Sequence, residues 1–433
     1  MTRIGFESLG CPKNLVDSET LLGLARGSGL EPTAELDRAE VIVLNTCAFL
    51  AEARREALDR ISELARFKQG KCRLLIVAGC LVPWLIQRSR PAPAGVDLLL
   101  DFSQYPRLPE LIASRLDLIL AAPSSSTRLV STSPHYAYLR IAEGCNNRCR
   151  YCLIPSLRGE LRSLPVAEIR EESRRLAAAG YWEQILVAQD VAAYRDPEGK
   201  GGLADLLGFL EEVEELRWLR VLYAHPAHVD DALLDRLASA TRILPYLDVP
   251  LQHAADSVLR RMGRPGSRDD LRRLVERARE KVPGICLRTT MMVGFPGETP
   301  EEFDQLLDFL SWARFDHLGA FAYSPEEGTP AAGDPSPVPA AEAVKRREEV
   351  MLMQQEISAA ALARRRGDSI EVVAEKKFPD SERDLLLGRA WFQAPEIDGV
   401  AVISGKGIDD VAGPWQGMVT DSSEYDVFVQ VEP

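Results

Sequence analysis

Residues 142–159 read AEGCNNRCRYCLIPSLRG and set Cys145, Cys149 and Cys152 within eight residues, with Tyr151 directly before the last. The spacing Cys-x3-Cys-x2-Cys does not suit structural zinc, which takes four ligands, usually as two separated pairs. An iron-sulfur cube held by three thiolates suits it better, because the fourth iron then keeps an open position for a substrate or cofactor. A zinc loop borrowing a distant fourth ligand, or three unrelated thiols, are the alternatives. The loop follows a strand-like run, YAYLRIAEG, and five more such runs come after it: QILVAQD, RVLYAH, LDVPLQ, CLRTTMMVGF and HLGAFAYS, about 30 to 40 residues apart with helical stretches between. That is the rhythm of a β/α barrel, whole or partial, with the cysteine loop at its carboxyl-end mouth, where barrel active sites lie.

Toward the amino terminus, from Arg3 to about Ala122, the apolar runs IGFESLG, VIVLNT and LLIVAG alternate with helical patterns, as in an open parallel α/β sheet. Each run ends in a cysteine, Cys11, Cys47 and Cys80. The carboxyl ends of parallel strands share one edge, where ligands bind, so these three thiols are expected to converge. Cys72 precedes LLIVAG and is expected at the opposite edge. Small buried hydrophobes are the alternative for the three, and the reading adopted for Cys286.

Residues 123–134, PSSSTRLVSTSP, form a linker, and a long helical segment runs from Ala340 to Arg366. After it helical patterning ends, and SIEVVAEKKF, LLLGRAWF, GVAVIS, QGMVT and DVFVQV read as a small antiparallel barrel. The division expected is 1–122, 123–134, 135–365 and 366–433. Eight cysteines in 433 residues are too few for a disulfide scaffold. No signal peptide opens the sequence and no run could span a bilayer, so a cytoplasmic enzyme without membrane attachment is expected.

An amino-terminal three-cysteine sheet, a barrel with this cysteine loop and a small terminal barrel together resemble the methylthiotransferase family of radical S-adenosylmethionine (SAM) enzymes, over essentially the whole chain. Within it, the chain is similar to the branch that modifies an aspartate in the twelfth protein of the small ribosomal subunit. The carrying stretches are SLGCPKNLVDSE (Ser8–Glu19), CNNRCRYCLIPSLRGELRS from Cys145, YLDVPLQH from Tyr246, LRTTMMVGFPGET from Leu287, YSPEEGT from Tyr323 and APEIDG (Ala394–Gly399). The tRNA-modifying branch differs after the first glycine-cysteine pair and has Gly-Gln-Asn where this chain has Ala188, Gln189 and Asp190. Val191 stands where the ribosomal branch usually has threonine.

The resemblance implies two 4Fe-4S clusters, one on Cys145, Cys149 and Cys152 and an auxiliary one on Cys11, Cys47 and Cys80 that carries an exogenous sulfur. It implies SAM contacts at Tyr151 and at the strand ends Gln189, Asp190, Gln252, Gly294 and Glu298. It further implies two SAM per turnover, one methylating the sulfur and one supplying a radical that removes hydrogen from the aspartate β-carbon, and an external electron donor. No catalytic side chain beyond the cluster ligands is expected. The terminal module of the family, TRAM, has six basic and fourteen acidic residues from Arg366 to Pro433, within a chain of net charge -13. That balance repels phosphate backbones and suits docking of a basic ribosomal protein, so nucleic acid is expected only on an assembled ribosome. The basic groups at Lys345 and Arg364 are expected on a solvated helix face. The competing functions are a tRNA adenosine methylthiotransferase and a non-catalytic iron-sulfur scaffold or sensor that binds SAM.

Overall fold

The computed structural model describes residues 1–121, 128–378, 385–405 and 413–431. Its amino-terminal sheet is fully parallel, with strands β1 (Arg3–Ser8), β2 (Glu31–Thr33), β3 (Val41–Thr46), β4 (Leu74–Gly79) and β5 (Leu98–Leu99) in the order β2-β1-β3-β4-β5. VIVLNT and LLIVAG are buried at every position, as central strands covered on both faces must be. The short edge strands β2 and β5 have no such run and were not legible in the sequence.

The central sheet contains β6 (Tyr136–Arg140), β9 (Glu183–Val187), β10 (Trp218–Val221), β11 (Ile243–Asp248), β12 (Cys286–Val293) and β13 (His317–Ala322), all parallel, with β6 and β13 at its edges. The barrel is therefore partial, with six strands. A small ribbon, β7 (Ala142–Glu143) with β8 (Arg162–Ser163), brackets the cysteine loop. The segment 128–134 of the expected linker lies along the helix Pro12–Gly27: Arg128 pairs with Glu19, and Ser131 donates to Glu19 from both its N–H and its hydroxyl.

The terminal barrel closes through β14 (Ser369–Lys377), β15 (Leu385–Ala390), β16 (Ala401–Ser404), β18 (Val427–Val431) and β17 (Trp415–Ser422). One pairing, β16 with β18, is parallel, because the chain crosses through β17 before returning; the others are antiparallel. This barrel closes the amino end of the central one, opposite the cysteine loop. Segment 391–399 enters it: Phe392 O accepts from His317 and Cys286, Asp398 accepts from the Tyr246 hydroxyl at 2.7 Å and from Arg288, and Glu396 accepts from Tyr136 and Tyr138. Cys286 is fully buried, as a small hydrophobe would be.

These contacts correct the charge argument. Glu371 accepts from Trp218, Glu375 pairs with Arg389, and Asp398 is spent inside, while Glu396 accepts from Tyr136 and Tyr138 at an exposed position. Among the described residues of this barrel, Asp368, Glu396, Asp421 and Glu424 are exposed acids, against Arg366, Lys376 and Lys377, so the described surface keeps only a small acidic excess. Asp409 and Asp410 lie outside the described residues. The basic groups also differ from a plain solvated face. Arg346 is buried against Glu298 at 2.7 Å, and Arg365 stacks 4.3 Å over Phe392, while Lys345 and Arg364 are exposed.

Candidate active site between two cysteine constellations

Cys11 caps the helix Pro12–Gly27, Cys80 caps the helix Leu81–Gln87, and Cys47 follows β3, all at the carboxyl edge of the first sheet. Gly10 makes the turn into Cys11 with φ +99°, where a Cβ would lie 2.8 Å from that of Cys47, so only glycine brings the two cysteines this close. Burial pushes Cys80 up to about 12 and Cys47 upward, and each feels the neighbouring thiolates as well. Buried thiols of this kind ionise only with a cation to hold, which is what a metal cluster supplies. Cys72 lies before β4, among Lys68 and Asp97 at the opposite edge.

The second constellation sits beyond β6. Gly144, with φ +78°, would place a Cβ 2.1 Å from Glu160 O, and so folds the loop tightly against residues 159–160. Asn147 N–H donates to Cys145 Sγ and Ile154 N–H to Cys152 Sγ, both at 3.4 Å, and Arg264 donates to Cys149 Sγ at 3.7 Å. Burial raises Cys145, and takes Cys152 to about 12. The three thiols line a cavity of about 150 Å³, with Asn147, Tyr151, Gln189, Tyr223, His225, Gln252 and Arg264 among its walls.

Of the six expected SAM contacts, Tyr151, Gln189 and Gln252 reach this cavity. Gln252 is held at φ +74°, its N–H donating to Thr290 O and its carbonyl accepting from Met292 N–H, a strained setting typical of functional positions. Asp190, Gly294 and Glu298 do not line it. Burial alone would raise Asp190, but hydrogen bonds from His228, Asn147 and the His225 N–H hold it below the usual carboxylate range. Those bonds occupy the carboxylate, so Asp190, His225 and His228 form a hydrogen-bonded group. Gly294 packs where a Cβ would lie 2.3 Å from that of Ala343, and Glu298 is turned to Arg346 and to the Phe295 N–H. Val191 is fully buried, so no polar group is called for there.

Two polar atoms on the cavity wall are buried without a hydrogen-bond partner, Gln189 Oε1 and His225 Nε2. His225 Nδ1 accepts from the Ala227 N–H, which puts the ring proton on Nε2, and burial lowers its pKa to about 3, so the ring is neutral. An acceptor and a donor left unsatisfied at such cost mark the place of a polar ligand, and with three thiols beside them the donor set fits a cluster and SAM.

One side chain bridges the first constellation and the ribbon beside the second. Arg158, at 4 % exposure, donates from Nε to Cys80 Sγ at 3.4 Å, from Nη1 to both Glu143 oxygens at 2.9 Å, and from Nη2 to Asn14 and Asp17. Glu143 also accepts from Gln189 at 2.8 Å. Arg158, Glu143, Arg264, His225 and Tyr223 were missed in the sequence reading. Arg158 and Glu143 lie inside the opening stretch itself, but the bonds of Arg158 to Cys80, Asn14 and Asp17 across domains leave no local pattern.

Three family models match in succession: an uncharacterized protein family, UPF0004, over residues 3–100, the radical SAM superfamily over residues 139–310, and the TRAM domain over residues 367–431. The chain is 43 % identical to ribosomal protein uS12 methylthiotransferase RimO of Anaeromyxobacter sp. (strain Fw109-5), over 98 % of this chain and 92 % of the relative. It is 42 % identical to the protein of that name from Geobacter sulfurreducens, over 99 % and 98 %. The chain belongs to the RimO family. Among solved structures, the radical SAM methyltransferase TsrM from Kitasatospora setae, with cobalamin and a [4Fe-4S] cluster bound, matches with a TM-score of 0.56 at 16 % identity, over 77 % of each chain. The cobalamin-dependent radical enzyme OxsB gives 0.53 at 14 % identity, over 82 % of this chain and 56 % of that one. Both share the fold. The RimO relatives align over nearly the whole chain, including both constellations. Among the described residues no helix is long and apolar enough to cross a membrane.

Proposed function

We infer that the chain is a radical SAM methylthiotransferase acting on ribosomal protein uS12, placing a methylthio group on the β-carbon of an aspartate. The observation that carries this reading is that two three-cysteine constellations stand on separate sheets, with Arg158 bonding Cys80 of one and Glu143, beside the loop of the other. RimO relatives matched over 92 % and 98 % of their length support the substrate. The proposed ligand sets are Cys145, Cys149 and Cys152 for the SAM-cleaving 4Fe-4S cluster and Cys11, Cys47 and Cys80 for the auxiliary one. When bound, the clusters and two SAM supply the radical, the methyl group and, through an outside donor, the sulfur; an external reductant supplies electrons. The residues of the chain bind and orient. Gln189, Gln252 and His225 offer polar groups to SAM, Tyr151 and Arg264 wall the cavity, and Arg158 fixes the spacing of the two ligand sets. The division into 1–122, 123–134, 135–365 and 366–433 is part of this proposal.

Replacing Cys11, Cys47 and Cys80 together with alanine is expected to spare reductive cleavage of SAM, read as 5'-deoxyadenosine, and to stop methylthiolation of uS12. Cys72→Ala is expected to change neither. Equal loss of transfer in the Cys72 variant would undo the assignment of the auxiliary set.

Docking of uS12 by the terminal barrel remains part of the proposal; the acidic excess comes from Asp368, Glu396, Asp421 and Glu424, together with residues 379–384 and 406–412, which carry Asp380, Glu382, Asp384, Asp409 and Asp410. Reversing Asp409, Asp410 and Asp421 to lysine is expected to slow uS12 turnover at low substrate concentration and at low salt, because rim charges act on the association rate and are screened beyond about 10 Å at 0.1 M salt. Titrations with uS12 and with bulk tRNA check this. Tight, salt-sensitive tRNA binding without affinity for uS12 would instead favour the tRNA reading.

A further inference from the structure

The six-stranded sheet leaves the central barrel open between its edge strands, β6 and β13, which do not pair with each other. On β6, Tyr136 and Tyr138 turn to the inner face with Ile185, Val187 and Tyr246, whereas Ala137 and Leu139 turn outward to the helices. Both hydroxyls donate to one carboxylate, that of Glu396, at 3.3 and 3.5 Å. Burial, and Glu396 after it, push both tyrosines upward, so the hydroxyls keep their protons and remain donors. Glu396 itself is exposed, and so is Ile397 beside it. On β13, Phe321 is 55 % exposed and shares a face with Gly319. A Cβ at Gly319 would lie 3.8 Å from the Phe321 ring and 4.0 Å from Arg288 Nη2 inside the barrel. An acid and an aromatic ring therefore stand on the two edges of one opening.

The cations nearby are already committed. Arg288 donates to Asp248 at 3.1 Å and to Asp398 at 3.3 Å, while Arg389, 5.2 Å over the Tyr136 ring, holds Glu183 and Glu375. Among the described residues Glu396 forms no ion pair; its side chain accepts from the two tyrosines. It touches no cysteine and is not a wall of the cavity that Cys145, Cys149 and Cys152 line, so its missing partner is not a group held at either cysteine set. It still faces the same interior. Burial is the main cause of the raised pKa of Tyr223, a wall of that cavity, and Glu396 is among the charges that add to it. An ionised carboxylate with two neutral donors keeps lone pairs for a charged one, which bonds more strongly. An exposed aromatic face attracts the same ammonium or guanidinium group, and apolar surface takes the stem that carries it.

We propose that Glu396 is a specificity-determining residue that receives a lysine or arginine side chain from the uS12 segment carrying the target aspartate, with Phe321 packing on that side chain from the other edge of the opening. The inference rests on the reading of uS12 as the substrate and adds to it the subsite that sets the segment in register. Tyr136 and Tyr138 hold the carboxylate in place before the substrate arrives, so little freedom is lost when the cation binds. One basic side chain anchored at the amino end of the barrel leaves the chain beside it to run toward the cysteine sets at the other end. A tRNA strand brings phosphates instead, which Glu396 repels, so the same group separates a basic protein segment from nucleic acid.

The test is a double-mutant cycle on affinity, with the enzyme carrying both clusters and SAM but no reductant, so that no turnover occurs. Wild type, Glu396→Gln and Phe321→Ala are titrated with native uS12 and with uS12 forms in which each lysine or arginine flanking the target aspartate is changed singly to methionine; melting temperature and iron content are measured alongside. Glu396→Gln is expected to bind native uS12 about tenfold or more weakly, the value of a hydrogen bond between charged groups, and Phe321→Ala to bind it several-fold more weakly. One uS12 form is expected to lose the same factor against the wild type and nothing further against Glu396→Gln, because the pair is then already broken. Native affinity in Glu396→Gln would overturn the proposal. So would losses that add for every uS12 form, which would make Glu396 one charge among many. If Glu396→Gln melts early, Phe321→Ala, changed at an exposed ring, carries the same cycle, and additive losses there overturn the proposal equally. A wild type that neither binds uS12 nor modifies it once reductant is added would overturn the substrate reading, and this proposal with it.

Discussion

Replacing Cys145, Cys149 and Cys152 together with alanine is expected to halve the iron bound after anaerobic reconstitution, from about eight to about four per chain, and to abolish SAM cleavage and methylthio transfer alike. The expectation follows from the two ligand sets standing on different sheets with separate local supports: the Gly144 turn and the loop N–H groups for this one, the Gly10 turn and two strand ends for the other. Losing one set therefore leaves the other intact. Iron analysis and quantification of 5'-deoxyadenosine check it. Full iron retention in the triple variant would show that these thiols are not ligands.

Arg389→Met is expected to destabilise the protein by about 3–5 kcal/mol, the usual cost of breaking a buried ion pair by removing one partner. Arg389, from the terminal barrel, donates to Glu183 at 2.6 Å at the start of β9, where Arg220 donates to the same carboxylate at 3.1 Å; all three side chains are almost fully buried. Burial alone would raise the Glu183 pKa, but the two guanidinium groups outweigh it and hold the carboxyl below its usual range. A depressed pKa gives stability that is present above the ordinary value of about 4.3 and is lost as pH falls through the depressed one. The gap in stability between wild type and variant should accordingly be full near neutral pH and narrow on acidification below that value. Denaturant titrations at several pH values measure it. A variant as stable as the wild type at neutral pH would show that the two barrels are held together by other contacts.

Much of this architecture is legible in the sequence, because parallel strands announce themselves as apolar runs and cysteines at their ends inherit a common edge. VIVLNT with Cys47 and LLIVAG with Cys80 are read without any alignment of contacts. The parts that escape are those made by partners distant in the chain. APEIDG marks the family resemblance, yet nothing local says that Asp398 turns inward to Tyr246 and Arg288; counting it as outward charge overstated the acidity of the terminal barrel. Glu298 reads as a strand-end ligand contact, but its partner Arg346 comes 48 residues later and takes the carboxylate.

The account stands most directly on one measurement, mass spectrometry of uS12 after incubation with the reconstituted protein, SAM, a sulfide source and a reductant under anaerobic conditions. The expected result is that a single aspartate-containing peptide gains the mass of a methylthio group less one hydrogen, with fragmentation placing it on the aspartate, and that the gain is absent when Cys11, Cys47 and Cys80 are replaced. Unmodified uS12 in a reaction that produces 5'-deoxyadenosine, with a methylthio group appearing on tRNA in its place, would contradict it.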